Sequence, residues 1–327
     1  MQALHEVLSI IREHSNFDAQ HLPPLQPSIC DSWSDEKILE IFRKARSPEG
    51  PGSILNGEEC GAVWVICHDT IVKHTRQPYT ASLGPSTEYL ALCFILQHTS
   101  IPVPRVRRLF AYKGYQYIVM EKIDGAPLHE VWPSLTPSQR FGVALTLQDY
   151  IRQLRQASAH YARRSCPGPM GPTPRKCLDA TWLFDRDRPC GPFESQAKLL
   201  GHWNAWFDLP KRNARGSPES TKLVESHPLV LTHGDLSPRN ILVGHDGRLW
   251  VVDWEWSGFY PPWCEYIMAA SAALNDAMPR GWMVQPGTRQ AAQSWWNYIP
   301  FITGTWPLES RLLLLEGYPA LPPEGKI

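Results

Sequence analysis

The eight cysteines of this sequence are scattered, and no two of them form a C-x-x-C pair. That pair is the usual ligand spacing of a structural zinc site, so its absence argues against such a site. No apolar run approaches the roughly 20 residues that a membrane-spanning helix needs. The start of the chain also lacks the apolar stretch of a signal peptide. These absences predict a soluble, reduced, cytoplasmic protein that does not associate with a membrane.

Net charge is missing as well, because Lys plus Arg and Asp plus Glu each number 32. A chain without an overall field has no broad attraction for nucleic acid, so we expect no nucleic-acid partner. Any anion site must therefore be local. The hydrophobic content of 43% is ordinary for a globular protein. A chain of 327 residues suits one large domain or two lobes that share a cleft.

The first part of the chain predicts a small antiparallel sheet with helices beside it. Helical spacing of apolar residues indicates helices over 34–46 and 85–98. Runs rich in β-branched residues indicate strands over 62–66 and 70–72, and two more within 106–120 around a Lys-Gly turn. The sheet is therefore expected to consist of two consecutive hairpins.

The pattern becomes mainly helical after a break near 121–126. Helices are expected over 136–157 and about 193–207, and one hairpin is expected from 241 to 252, through the turn at Asp246-Gly247. We predict an α+β fold with two lobes, a small antiparallel sheet lobe and a larger, mainly helical lobe. The predicted division is a helical extension (1–50), the smaller lobe (51–122) and the larger lobe (123–327).

The segment 158–190 is rich in Pro, Gly and Arg. A connection of this length is usually either functional or disordered, and both interpretations stay open from the sequence.

The strongest chemical signal is the run His233 to Asn240, which is followed by the predicted hairpin and then by Asp253. It matches the kinase catalytic loop: His, any residue, Asp, Leu, three residues, Asn. Phosphoryl transfer needs a carboxylate that accepts the proton of the attacking hydroxyl, and Asp235 is the candidate. It also needs hard oxygen ligands for Mg²⁺, for which Asn240 and Asp253 are the candidates.

A plainer interpretation makes Asp235 a turn residue and Asp253 a strand-end cap. Motif, spacing and hairpin agree with one another, so we favour the catalytic interpretation. We expect His233 to orient the loop through hydrogen bonds and not to carry a proton.

The strings LTHGDLSPRNILV and VVDWEWSGFYPPWCEY resemble the aminoglycoside phosphotransferase family, in the broad form common among fungal proteins. They are also similar to choline and ethanolamine kinases, which carry an acidic residue two places after the metal-binding Asp, as Glu255 is here. The resemblance covers roughly residues 60–270. It implies a protein-kinase-like fold, ATP and Mg²⁺ as cofactors, and transfer of the γ-phosphate to a hydroxyl group.

The resemblance also implies a nucleotide site in the smaller lobe. A strand lysine should pair with a helix glutamate and steady the ATP phosphates, and Lys73 and Glu88 stand at matching positions. Adenine should meet the backbone between the lobes, from Glu121 to Ile123. Taken alone, Lys73 is equally well interpreted as a solvated charge at a strand end.

Several departures from the protein-kinase pattern point to a small-molecule acceptor. The sequence has no G-x-G-x-x-G; Gly57 and Gly61 are only a weak substitute, and a plain hairpin fits them equally well. Trp254 and Glu255 replace the usual Phe and Gly, Ser237 replaces a common Lys, and no A-P-E signature follows.

The acceptor itself is open. Glu255, Trp256 and Glu265 lie in a segment rich in aromatic residues, which would suit a cationic acceptor. Packing between the lobes explains these aromatic residues equally simply and is the interpretation that we favour. Arginines of the segment 158–190, such as Arg163 and Arg164, would instead suit an anionic acceptor or a solvated loop face.

Three functions therefore compete. The favoured one is an active small-molecule kinase. The second is an inactive or repurposed nucleotide-binding protein with a kinase fold, which the atypical glycine loop motivates. A protein kinase is the least favoured, because of the departures described above.

Overall fold

A computed structural model describes residues 22, 24–45, 63–75, 84–162, 166–177, 183–184, 189–207, 222–225, 227–277, 293–307 and 309–310. The α-helices are α1 (Asp35–Ala45), α2 (Thr87–His98), α3 (Leu128–Val131), α4 (Pro137–Ala162), α5 (Gln196–Phe207), α6 (Trp263–Ala277) and α7 (Ile299–Thr303). The strands are β1 (Val63–Cys67), β2 (Thr70–His74), β3 (Val106–Tyr112), β4 (Tyr115–Glu121), β5 (Gly125–Pro127), β6 (Gly168–Pro169), β7 (Val230–Thr232), β8 (Ile241–Gly244), β9 (Leu249–Val251) and β10 (Gly258–Tyr260). Two of the short 3₁₀ helices, Pro238–Asn240 and Trp254–Trp256, lie near the predicted site.

The smaller lobe is a four-stranded antiparallel sheet with the order β1-β2-β4-β3. The predicted turn between β3 and β4 is present, with Lys113 at φ 47° and Gly114 at φ 78°. These positive φ values are those of a tight hairpin turn that matches the twist of its strands. The predicted strands and the helix over 85–98 are confirmed, and Ser86 caps that helix by accepting a hydrogen bond from the Tyr89 amide.

Helix α1 packs on one face of this sheet. Ile38, Leu39 and Phe42 are buried against sheet residues that include Val72 and Val119. The helix was predicted from its apolar spacing and from Ser34, whose hydroxyl accepts a hydrogen bond from the Lys37 amide. This prediction is confirmed. Helix α1 and the sheet together form a small apolar core.

The larger lobe is built around the long helix α4, which packs against β7 and α7. The predicted hairpin is present as β8 and β9, which pair antiparallel. The fold class is therefore confirmed: small antiparallel sheets are followed by a mainly helical region.

The larger lobe has two small sheets with the orders β5-β8-β9 and β6-β10-β7. The hairpin β8–β9 was predicted, whereas β5, β6, β7 and β10 were missed. These four strands have two or three residues each, too few to show the alternation from which strands are predicted. Helix α6 was also missed, because its residues are buried almost all round and so lack an amphipathic pattern.

Part of the segment 158–190 belongs to this architecture. β6 pairs with β10, and Arg175 donates a hydrogen bond to the carbonyl of Pro85, just before α2. The described residues 166–177 therefore connect the two lobes. The predicted glycine turn near Gly57 and Gly61, together with Arg163 and Arg164, lies outside the described residues.

None of the helices in the described part of the chain combines the length and the apolar character that a membrane crossing requires.

Candidate functional site

The predicted catalytic loop joins β7 to β8, and helix α6 contacts it through Glu265. Glu265, in the first turn of α6, accepts hydrogen bonds from the backbone amides of His233 (2.6 Å) and Gly234 (3.3 Å). Gly234 has φ 85°, and a Cβ on it would lie 2.5 Å from the carbonyl oxygen of Trp256. Glycine is therefore the residue that this close backbone approach requires.

His233 ties the loop to the end of the hairpin. Its Nδ1 accepts a hydrogen bond from the Asp235 amide (3.1 Å), and its Nε2 lies 3.0 Å from the carbonyl oxygen of Val252. Because the amide is a donor and the carbonyl an acceptor, the neutral tautomer with its proton on Nε2 satisfies both contacts. Burial lowers the pKa of His233, which keeps the ring neutral. This geometry matches the structural role expected of His233.

Asp235 is buried at the centre of the loop, with 8% of its surface exposed. The Asn240 side-chain amide donates to the Asp235 carboxylate oxygen Oδ2 and to its backbone carbonyl, both at 2.9 Å. Burial raises the pKa of Asp235 to about 6, and the positive charge of Arg239 opposes this change. Asn240 therefore engages Oδ2 of Asp235 and not Oδ1.

The hairpin returns the chain to the loop, as its turn residues predicted. The Val252 amide donates to the carbonyl of Asn240 (2.9 Å), which brings Asp253 beside the loop. Asp253 adopts the left-handed conformation, with φ 64° and ψ 63°. This conformation is uncommon for a residue other than glycine and turns the chain sharply after β9.

The smaller lobe adds a lysine to the same cluster. Lys73 on β2 contacts Glu88 of α2 at 2.7 Å and Asp253 at 2.5 Å. Glu255 lies 3.6 Å from the same ammonium group. Helix α2 packs directly on the Trp254–Trp256 turn, and this contact brings the two lobes together here.

Electrostatics keep this lysine charged. Burial by itself lowers the pKa of Lys73, but Asp253, Glu88 and Glu255 together raise it above its ordinary value. Burial raises the pKa of Glu88 to about 7, and the lysine opposes this rise. One cation thus faces three carboxylate side chains, so the site has a surplus of acidic oxygen ligands that suits a divalent cation.

The segment predicted to meet adenine lies at the end of β4. The Glu121 side chain is held by Arg105 in a two-point contact, with Nε to Oε2 at 2.7 Å. The Lys122 amide donates to the Asp69 carbonyl. The Glu121 amide donates to the Arg105 carbonyl (3.0 Å), so both the side chain and the amide of this residue are engaged within the protein.

Of the three residues suggested for an acceptor, Glu265 is engaged by the catalytic loop. Glu255 lies beside Lys73, whereas Glu265 is buried beneath the loop with both oxygens bonded to amides. Trp256 is half-buried. Three aromatic residues of the segment, Trp254, Tyr260 and Trp263, are buried in the core, which matches the packing interpretation favoured from the sequence.

The sequence interpretation missed a contact beside Asp235. Arg239 Nε donates to the carboxylate of Asp276 on α6 (2.9 Å), and Arg239 Nη2 lies 3.9 Å from Asp235 Oδ1. Arg239 stands inside the recognised motif, so its position could have been noticed. Asp276 belongs to no recognised motif, and the packing of α6 brings it beside Arg239.

Known proteins similar to this chain include a solved structure. The aminoglycoside phosphotransferase APH(3'')-Id from Streptomyces rimosus is similar, with 15% sequence identity and a TM-score of 0.32, over 76% of this chain and 85% of that chain. No protein of curated function matches the sequence. The sequence model of the phosphotransferase enzyme family, APH, matches residues 63–298, more than half of the chain. The chain therefore belongs to this phosphotransferase family.

Proposed function

We propose that this protein transfers the γ-phosphate of ATP to a hydroxyl group of a small molecule, with Mg²⁺ as the metal. The observation that carries the proposal is the convergence of Lys73, Asp253, Asn240 and Asp235 from three separate segments of chain. Lys73 reaches Asp253 at 2.5 Å, and Asn240 reaches Asp235 at 2.9 Å. A purely structural protein has no need of this complete set.

Asn240 and Asp253 are the residues that would hold Mg²⁺. Their amide and carboxylate oxygens are hard ligands, and the acidic surplus around Lys73 fits a divalent cation. When bound, the metal neutralises charge on the phosphate oxygens. The hydrogen bond from Val252 to the Asn240 carbonyl (2.9 Å) keeps these two segments side by side.

Lys73 would bind phosphate oxygens, and Glu88 would orient it. Its side chain is 6% exposed and its ammonium group is already held by Glu88 at 2.7 Å, so little side-chain entropy is lost when it meets a ligand. Adenine would lie against the backbone from Glu121 to Ile123, with the two-point Arg105 contact holding the Glu121 side chain aside.

Asp235 would accept the proton of the attacking hydroxyl through Oδ1. Its other oxygen is held by Asn240, which fixes the orientation of the carboxylate. A positioned general base of this kind typically contributes about 10²–10⁴-fold to the rate.

Glu255 and Trp256 are the remaining candidates for contact with the acceptor, since Glu265 serves the loop. An acidic residue at position 255 is also the feature shared with choline and ethanolamine kinases, so alcohols and aminoalcohols are the acceptors to test first.

The first test is Asp235→Asn, which keeps the size of the side chain and removes the base. We expect unchanged affinity for ATP and a loss of about 10²–10⁴-fold in ATP consumption, measured with Mg²⁺ and a panel of alcohols and aminoalcohols. Asp124→Asn is the matched control, because the Asp124 side chain is 83% exposed. Unchanged ATP consumption in Asp235→Asn would remove Asp235 from this role.

The metal is tested by Asp253→Ala. We expect the stabilisation by ATP that depends on Mg²⁺ to disappear, because a ligand raises the melting temperature only if it binds the folded state. Thermal unfolding with ATP, with and without Mg²⁺, measures this. A Mg²⁺-dependent shift as large as in the wild type would contradict the assignment, and no shift in the wild type would favour a protein that does not use ATP.

A further inference from the structure

We propose that Arg239 is a further catalytic residue, whose guanidinium group donates hydrogen bonds to the phosphoryl group during its transfer. This inference rests on the proposed function. Asp276 would act as the positioning residue that holds Arg239 in place.

The position of Arg239 relative to Asp235 carries the first step. Asn240 occupies Asp235 Oδ2, so the attacking hydroxyl is expected on Oδ1. Arg239 Nη2 lies 3.9 Å from Oδ1. A hydroxyl oxygen that bonds to Oδ1 at about 2.7 Å on the side facing Arg239 would lie beside the guanidinium group, and so would the phosphorus atom that it attacks.

The second step is the state of the guanidinium group itself. Its Nε donates to Asp276 at 2.9 Å, whereas 42% of the Arg239 side chain remains exposed. A guanidinium group has five N–H donors in a rigid plane that matches phosphate oxygens. The bond from Nε to Asp276 fixes the guanidinium plane relative to helix α6. The orientation of this plane then sets the directions of the remaining N–H donors.

The balance of charge carries the third step. On the nucleotide side, Lys73 serves the phosphates. Around Asp235, the neighbouring acidic groups are Asp253 and Asp276, and Arg239 is the cation that acts on Asp235. Negative charge spreads over the transferring phosphoryl oxygens, so a fixed cation on the acceptor side stabilises the transition state.

The step balances with water as the acceptor. The water oxygen forms a bond to the γ-phosphorus, the bond from that phosphorus to the bridging oxygen breaks, and ADP leaves. The proton of the water goes to Asp235 Oδ1. Slow hydrolysis of ATP therefore tests Arg239 without knowledge of the organic acceptor.

The experiment compares the full-length wild type with Arg239→Gln, Asp276→Asn and Arg248→Gln. Arg248 is the matched control, since it pairs with Asp246 in the β8–β9 turn at 2.9 Å. Three quantities are measured with Mg²⁺: affinity for a non-hydrolysable ATP analogue, affinity for ADP with aluminium fluoride, and phosphate release from ATP. ADP with aluminium fluoride mimics the phosphoryl group in transfer, so it reports on the transition state and not on the ground state.

We expect Arg239→Gln to bind the ATP analogue within about twofold of the wild type and to lose about 10²–10³-fold in phosphate release. Its affinity for ADP with aluminium fluoride should fall by at least about tenfold, since that complex contains the missing contact. Asp276→Asn should show the same split with a smaller loss, whereas Arg248→Gln should match the wild type.

Equal loss of both affinities would assign Arg239 to ground-state binding and overturn the proposal. Unchanged phosphate release, with loss only when an organic acceptor is present, would assign it to acceptor recognition and overturn it too. If the wild type binds neither ATP analogue nor ADP with aluminium fluoride, the proposed function fails and this inference fails with it. If only the results expected for Arg239→Gln are not found, this inference fails and the proposed function stands.

Discussion

At the scale of single residues, Glu265 shows how the loop around Asp235 is held. It is 2% exposed, and its two oxygens accept hydrogen bonds from the backbone amides of His233 and Gly234. Burial raises the pKa of Glu265, while the hydrogen bonds from the two amides oppose that rise. A buried carboxylate is costly without such partners, so this residue and the loop depend on each other.

Glu265→Gln should therefore destabilise the fold. Glutamine keeps one acceptor oxygen but places an NH₂ donor against a backbone N–H, which leaves a buried donor unsatisfied. We expect the free energy of unfolding to fall by about 1–3 kcal/mol, measured by denaturant unfolding. Glu194→Gln, at an exposed position, should change it by less than about 0.5 kcal/mol. Equal stability of the two variants would contradict the supporting role of Glu265.

At the scale of elements, two glycines differ in their backbone conformation. Gly114 lies in the β3–β4 turn at φ 78°, and a Cβ there would meet no atom within 4 Å. Gly142 lies inside helix α4 and also has open space within 4 Å. Steric contact is thus absent at both sites, and only the backbone conformation distinguishes them.

The two alanine variants should therefore change stability in opposite directions. Gly114→Ala should destabilise the protein by about 1–2 kcal/mol, because an L-residue is strained at positive φ. Gly142→Ala should stabilise it by about 0.5–1 kcal/mol, because glycine weakens a helix interior. Thermal or denaturant unfolding measures both. Unchanged or increased stability of Gly114→Ala would show that the turn does not need its glycine, and destabilisation by Gly142→Ala would contradict the expectation for helix α4.

At the scale of the whole molecule, helix α1 is part of the core of the smaller lobe. Phe42 packs edge-on against Trp64 (ring centroids 6.3 Å apart) and Tyr117 (5.4 Å). The predicted boundary at residue 51 stays a prediction. The packing nevertheless shows that the sheet depends on residues on the N-terminal side of that boundary for one covered face.

Phe42→Ala should reduce the free energy of unfolding by about 3–5 kcal/mol, through lost burial and the cavity that remains. Phe141→Ala is the control, because Phe141 is 48% exposed on α4, and its loss should be well below that of Phe42. Denaturant unfolding measures both variants. If both cost the same, helix α1 would not be part of the cooperative core.

Much of this protein could be read from local sequence. Lys113-Gly114 and Asp246-Gly247 indicate their turns because few residues accept those backbone angles. The spacing from His233 to Asn240 indicated the loop because it matches the kinase catalytic-loop pattern. The β-rich runs and the apolar helix spacing predicted the sheet of the smaller lobe.

Tertiary structure decided the rest. Glu265 points to the loop and not to an acceptor, and Asp276 meets Arg239, because helix α6 packs beneath residues that lie 31 to 37 positions earlier in the chain. Strands as short as β6 and β10 form only because neighbouring segments supply their hydrogen bonds. Local sequence encodes backbone angles and periodicity, whereas the direction of a buried side chain depends on which distant segment packs against it.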